Sequence, residues 1–425
     1  MRIGLFTDTY RPSVNGIVYV IDITKKRLEE MGHEVFIFCP ADGVRIKNIE
    51  SDDHIIRFRS MKNALFDEYN LSLLFPAAEF RRVKKYNLDV IHFFTPSFIG
   101  LMGVYAAKKT GAALIAQHST DLSQYITHYP AVVPAIVVGA GFVLPNTFRF
   151  KGQDVRELIK IYKPRRLVST WGSEIIESLI AMIYSRCDAV IALSEKSKIQ
   201  LESWRDEYWF DVTVMPTGID ALPKASAKQI SDFKAKYDIG KDDEVVLYAG
   251  RLSAEKNLDI LIPAIKKVLK HRPNARLLYV GDFEYKAVLE QEAQDSGVGD
   301  RITFTGSLPR QHLGVAYASA DLFVFPSVTD TQGLVVNEAA HAGLPFVIVD
   351  KLVTEIVKDG ENGIVAKDNP KSIADAIVTI LNDDKLRTEF GKKSKLFASK
   401  CGEVSQTKKL EELYLDAIGT VLPPL

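Results

Sequence analysis

What most constrains this chain is a recurring alternation of short apolar runs with amphipathic segments. RIGLF, the polar loop TDTYRPSVNG, the stretch IVYVIDITKKRLEEM, a stop at Gly32 and the run EVFIFCP read as strand, loop, amphipathic helix and second strand, a βαβ unit. The alternation continues, with strands expected over 55–59, 90–93, 113–116 and 189–192. After a strand over 212–215 a second series begins, with strands expected over 244–248, 275–280, 302–305, 322–325 and 346–349, each followed by a helical pattern. Strands alternating with helices fold as parallel sheets covered on both faces, so the expected class is α/β.

A chain of 425 residues exceeds what one core supports. Two doubly wound, Rossmann-like domains are therefore expected, over 1–212 and 213–404, joined near MPTGID at 215–220. A last helix, over 405–425, can cross back to the first domain. Domains so arranged face each other across a cleft, where ligands bind.

Lys plus Arg equals Asp plus Glu at 54 each, so no global field draws the chain to nucleic acid. Cys39, Cys187 and Cys401 stand far apart, without zinc-ligand or redox spacing. The opening MRIGLFTDTY shows no signal-peptide succession, and no charge-free apolar run is long enough to span a bilayer. The expected compartment is the cytoplasm.

The richest chemistry lies in PSVTDTQGLVVNEAAHAGLPFV, beginning at Pro326. Asp330 follows an apolar strand, Gly333 lets the backbone approach a ligand, and Leu334 opens a helix. The first turn of a helix carries unpaired N–H donors and partial positive charge, so a phosphate can dock there. Glu338, eight positions after Asp330, lies about one turn inside and suits ribose hydroxyls.

Further polar residues sit at expected strand ends. YAGRLSAEKN places Arg251 and Lys256, preceded by Gly250, after the first strand of the second domain, where they can neutralise a diphosphate. His118, in LIAQHSTD, holds a similar position in the first domain, whereas His92, inside VIHFF, reads as a packed strand residue. Gly16 opens the first helix, and its loop lacks the G-x-G-x-x-G fingerprint of a dinucleotide site. No D-x-D metal motif is evident; Asp242–Asp243 and Asp383–Asp384 fall in charged, turn-like surroundings.

In this order, FTDTYRPSVNG, QHS, PTGID, GRLSAEKN and PSVTDTQGLVVNEAAHAGLP resemble the motifs of the family 4 retaining glycosyltransferases, along essentially the whole chain. The resemblance implies the two-domain GT-B fold, with an acceptor-side first domain and a nucleotide-sugar-binding second domain. It implies a donor that is a nucleotide diphosphate sugar, such as a UDP- or GDP-hexose, and neither cofactor nor metal. Arg251 and Lys256 would bind the diphosphate, backbone from Gly333 through Leu334 to Val335 would cradle it, and Glu338 would hold the ribose. Gly16 would approach phosphate or sugar, and His118 the reacting carbon. Asp330 stands where the family has glutamate, one methylene longer. The Thr-Gln-Gly that follows is most similar to enzymes that glucosylate diacylglycerol and to their mannosyl relatives, which implies a lipid or glycan acceptor. A nucleotide-sugar epimerase of the same fold and a non-catalytic nucleotide-sugar binder stay open as alternatives.

From Ala131 to Arg166, the uncharged AVVPAIVVGAGFVLP is followed by a basic stretch. Apolar residues beside a basic helix suit an anionic membrane surface, placing the enzyme peripherally on the inner face of the cell membrane; a buried helical hairpin with a solvated basic face is the other reading.

Overall fold

The computed structural model describes residues 1–13, 15–41, 52–61, 71–72, 76–120, 152, 168–205 and 208–420. The stretch from Ala131 to Arg166 lies outside the described residues, apart from Gly152. The chain divides into two compact units, one of Met1–Thr217 with Glu403–Leu425 and the other of Gly218–Gly402.

Among the described residues the first unit has nine strands: β1 (Arg2–Phe6), β2 (Glu34–Pro40), β3 (Ile55–Phe58), β4 (Ser60–Met61), β5 (Leu71–Ser72), β6 (Val90–Phe93), β7 (Ala113–His118), β8 (Ala189–Ala192) and β9 (Val212–Val214). Seven form one parallel sheet in the order β3-β2-β1-β6-β7-β8-β9, while β4 and β5 pair as a short antiparallel ribbon. Strands β1, β2, β6 and β7 are buried along nearly their whole length, on both faces of the sheet, which is why they show mostly apolar runs rather than alternation. The helix Gly16–Glu30 starts where the Asn15 side chain accepts from the Val18 N–H at 3.1 Å. The C-terminal helix Glu403–Thr420 packs on this unit: Arg27 pairs with Glu403, His33 with Glu411, and His92 on β6 shares a 2.6 Å hydrogen bond with the Tyr414 hydroxyl.

The second unit carries β10 (Glu244–Ala249), β11 (Ala275–Val280), β12 (Ile302–Phe304), β13 (Leu322–Phe325), β14 (Phe346–Ile348) and β15 (Gly363–Val365), all parallel in the order β12-β11-β10-β13-β14-β15. Its core gathers the buried strands with helices such as Leu261–Val268 and Pro370–Asn382. The edge strand β15 has no counterpart among the sequence expectations; three residues after a charged turn are too few for a periodic signal.

Candidate active site

In the second unit the chain leaves β10 towards β11 and leaves β13 towards β14, in opposite directions across the sheet. The two connections separate at the β10/β13 boundary and open a crevice beyond the strand ends, where open α/β sheets bind ligands. Two loops, 250–257 and 326–333, border that point. They are stitched together: Thr329 Oγ1 donates to the Glu255 carbonyl at 2.9 Å, Asn257 Nδ2 to the Pro326 carbonyl at 3.3 Å, and Lys256 Nζ to Asp330 Oδ1 at 2.7 Å. Lys256 and Asp330 are both largely buried. Burial alone would raise the Asp330 carboxyl, but the Lys256 ammonium and its hydrogen bond, with help from Ser327 and Arg251, outweigh it and hold the group below its ordinary value.

Arg251 comes from the turn after β10. Its guanidinium lies 5.2 Å from the centroid of the Phe283 ring and 3.7 Å from the Glu255 carboxylate. Gly250 before it has φ of +145°, a conformation that side chains resist.

The helix Leu334–Ala342 follows β13, and its N-cap is Gly333, which has no side chain to satisfy the first turn. A Cβ at Gly333 would lie 2.9 Å from Val336 Cγ2 and 3.1 Å from the Phe325 ring, so packing beneath the loop demands glycine as much as access from above does. The Leu334 N–H bonds to the Gln332 carbonyl at 3.1 Å and the Val336 N–H to Gly333 at 2.9 Å, which holds the turn in shape. Glu338, one turn in, is 4% exposed. Arg310 pairs with one of its carboxylate oxygens, and the Tyr317 hydroxyl donates to the other at 2.8 Å. Burial and the neighbouring Glu338 push the Tyr317 phenol up, so it remains a donor.

The first unit has its own point of divergence, between β1 and β6. There Asp8 accepts from Thr95 Oγ1 at 2.7 Å and from the Ile99 N–H at 2.9 Å, capping the helix Phe98–Thr110 from the loop after β1. Asp8 is buried, and desolvation pushes its carboxyl up to about 6 against the pull of those hydrogen bonds. Gly16 opens the next helix behind Asn15, whose amide donates to Thr9 Oγ1 at 3.0 Å. His118 ends β7, buried edge-on against Tyr184 and Trp204, with Nδ1 3.1 Å from the Tyr184 hydroxyl. That bond fixes the orientation of the imidazole.

Sequence reasoning had no role for Asp8, Arg310 or Tyr317. Asp8 lies inside the quoted FTDTY, and its signal is a carboxylate directly after a buried strand. Arg310 and Tyr317 stand seven apart, two turns along one helix face, which marks a shared target but not that the target is Glu338. Among the described residues no three His, Cys, Asp or Glu side chains form a metal-binding group. Asp243 is instead paired with Arg276 and Arg301, and Asp383 caps the helix Asp384–Ser399. No described helix is long and apolar enough to cross a membrane.

Two α/β units, each built on a parallel sheet with its own switch point, are the architecture of the GT-B fold. HepE from Anabaena, solved in complex with UDP, superposes with a TM-score of 0.71 at 19% identity, over 98% of this chain and all of that one. The chain belongs to the family 4 glycosyltransferases: the profile of Glycosyltransferase Family 4 matches residues 14–221 and that of Glycosyl transferases group 1 matches 229–397. Two relatives align along 98% of the chain, the alpha-monoglucosyldiacylglycerol synthases of Streptococcus pneumoniae and Acholeplasma laidlawii. They are 27% and 28% identical and are covered over 86% and 98% of their lengths. The protein is a hexosyltransferase that takes its sugar from a nucleotide sugar.

Proposed function

We propose that the protein moves a hexose from a nucleoside diphosphate sugar to a hydroxyl of a glycerolipid such as diacylglycerol, with retained anomeric configuration and without metal. The observation that carries this reading is the cluster at the β10/β13 boundary, where Arg251, Lys256 and the N-terminus of Leu334–Ala342 converge. These groups supply the positive charge that a departing nucleoside diphosphate needs, a task otherwise given to a cation. Gly250 and Gly333 keep the backbone low around the diphosphate, with Leu334 and Val335 in the first turn. Glu338 accepts from the ribose hydroxyls. Asp330, kept ionised by Lys256, takes hydroxyls of the transferred sugar.

In the step itself the bond between the anomeric carbon and the β-phosphate oxygen breaks. The acceptor oxygen bonds to that carbon on the same face, and its proton passes to the departing phosphate. The first unit serves the acceptor side, with His118 and Gly16 as its candidate residues. A glycerolipid acceptor is supported by the two full-length relatives, whose product is a glucosyl diacylglycerol, and an alpha product accords with retention.

Transfer is followed by nucleotide release from UDP-glucose, UDP-galactose and GDP-mannose, with and without diacylglycerol in mixed micelles. Acceptor-dependent release with an α-linked product is expected, along with a loss of at least about a hundredfold in kcat/KM when Arg251 and Lys256 are both alanine. Epimerised sugar without release would make the protein an isomerase, and binding alone would make it a non-catalytic binder. Either result, or a double variant of near-normal activity, overturns the reading.

A further inference from the structure

Three residues after the central strands of the second unit share an unusual backbone conformation: Gly250 at φ +145°, Gly281 at +149° and Phe283 at +155°. Glycine is expected there, since a Cβ in this region meets its own backbone. At Gly281 the need is also external, because a Cβ would lie 1.8 Å from the Gly250 carbonyl oxygen. Phe283 has no such excuse: it carries a large side chain in a conformation that glycine would adopt without strain. Phe283 is also 39% exposed, one of the few large apolar residues that the described residues leave open to solvent.

Hydrogen bonds on either side of Phe283 tie the segment down. The Leu252 N–H donates to the Asp282 carbonyl at 3.1 Å, the Tyr285 N–H to the Leu252 carbonyl at 3.0 Å, and the Phe283 N–H to Asp282 Oδ1 at 2.9 Å. The loop after β11 is thus clamped to the residue that follows Arg251. In that setting the ring lies at cation–π distance from the Arg251 guanidinium, 5.2 Å to the centroid, while Glu255 flanks the same group at 3.7 Å.

We infer that Phe283 is a positioning residue for the donor. Its ring holds the Arg251 guanidinium in place for the diphosphate before the nucleotide arrives, and the strained φ is retained because it aims the ring there. The inference rests on the assignment of Arg251 to the diphosphate. Holding a long, rotamer-rich side chain in advance removes an ordering cost from binding.

The test titrates UDP and GDP into wild type, Phe283→Gly, Phe283→Leu, Phe283→Trp, Arg251→Ala and the Phe283→Gly/Arg251→Ala double variant. Phe283→Gly and Phe283→Leu are expected to weaken the nucleotide that binds by about two- to fivefold, the scale of one exposed cation–π contact. Phe283→Trp keeps an aromatic face and should bind like wild type. In the Arg251→Ala background the glycine change should do nothing further. Phe283→Gly also relieves the backbone, so its thermal midpoint should match or exceed that of wild type while its affinity falls; a packing role alone would lower both. Wild-type affinity in Phe283→Leu, or an undiminished effect of Phe283→Gly without Arg251, overturns the inference alone. If Arg251→Ala binds like wild type, or wild type binds neither nucleotide, the donor-site reading falls and this inference with it.

Discussion

Asp330 shows at the residue scale how a site is tied together. Where the resemblance implies glutamate this chain has aspartate, and Lys256 reaches its carboxylate at 2.7 Å across the boundary between two strand-end loops. Both residues were legible as site candidates because they follow apolar strands, but their pairing was not, since 74 positions separate them. Asp8 is the reverse case, a buried carboxylate in a quoted motif whose work as a helix cap depends on β1 and β6 being neighbours. Its carboxyl is pushed from 3.8 up to about 6, so between those values the folded protein holds more proton than the unfolded chain. Stability is then greatest below pH 4 as far as this group is concerned and falls as pH rises through 6, by about 3 kcal/mol in all. Asp8→Asn removes that slope. In urea unfolding at pH 4 to 8, the variant should gain on wild type as pH rises, and a constant difference would show that Asp8 does not titrate in this window.

Among the elements, the C-terminal helix Glu403–Thr420 illustrates what periodicity conveys and what it omits. Its apolar spacing marks a helix with a face to bury, and Leu410, Tyr414 and Ala417 are indeed buried. The surface that receives them is identified by partners hundreds of positions away: Arg27, His33 and His92. Burial holds His92 down to about 3, so it meets the Tyr414 hydroxyl as a neutral ring. Tyr414→Phe strands that imidazole nitrogen and should cost about 1–3 kcal/mol, whereas Tyr414→Ala adds a cavity and should cost about 3–5 kcal/mol. Chemical denaturation measures both, and hydrogen exchange should place the weakening in the first unit although the helix directly follows the second in sequence. Exchange confined to residues 218–402 would contradict that placement.

At the scale of the whole molecule, the candidates for the diphosphate and ribose, Arg251, Lys256, Gly333 and Glu338, belong to the second unit, so a bound nucleotide should stabilise that unit first. UDP at about a hundred times its dissociation constant adds about 2.7 kcal/mol to whatever unfolds with the site. In hydrogen exchange, protection is expected around 250–257 and 326–340, and protection absent from both segments would argue against the site. The sequence by itself determined the α/β class, the succession of strands and helices, and which polar residues stand at strand ends, because each of these is written in local periodicity and turn chemistry. The order of strands, the meeting of Lys256 with Asp330 and of Arg310 and Tyr317 with Glu338, the capping by Asp8 and the strained ring of Phe283 over Arg251 were decided only by the tertiary structure. These features depend on which elements lie side by side, and in a parallel sheet neighbours in space are joined by long crossovers, so no local pattern records them.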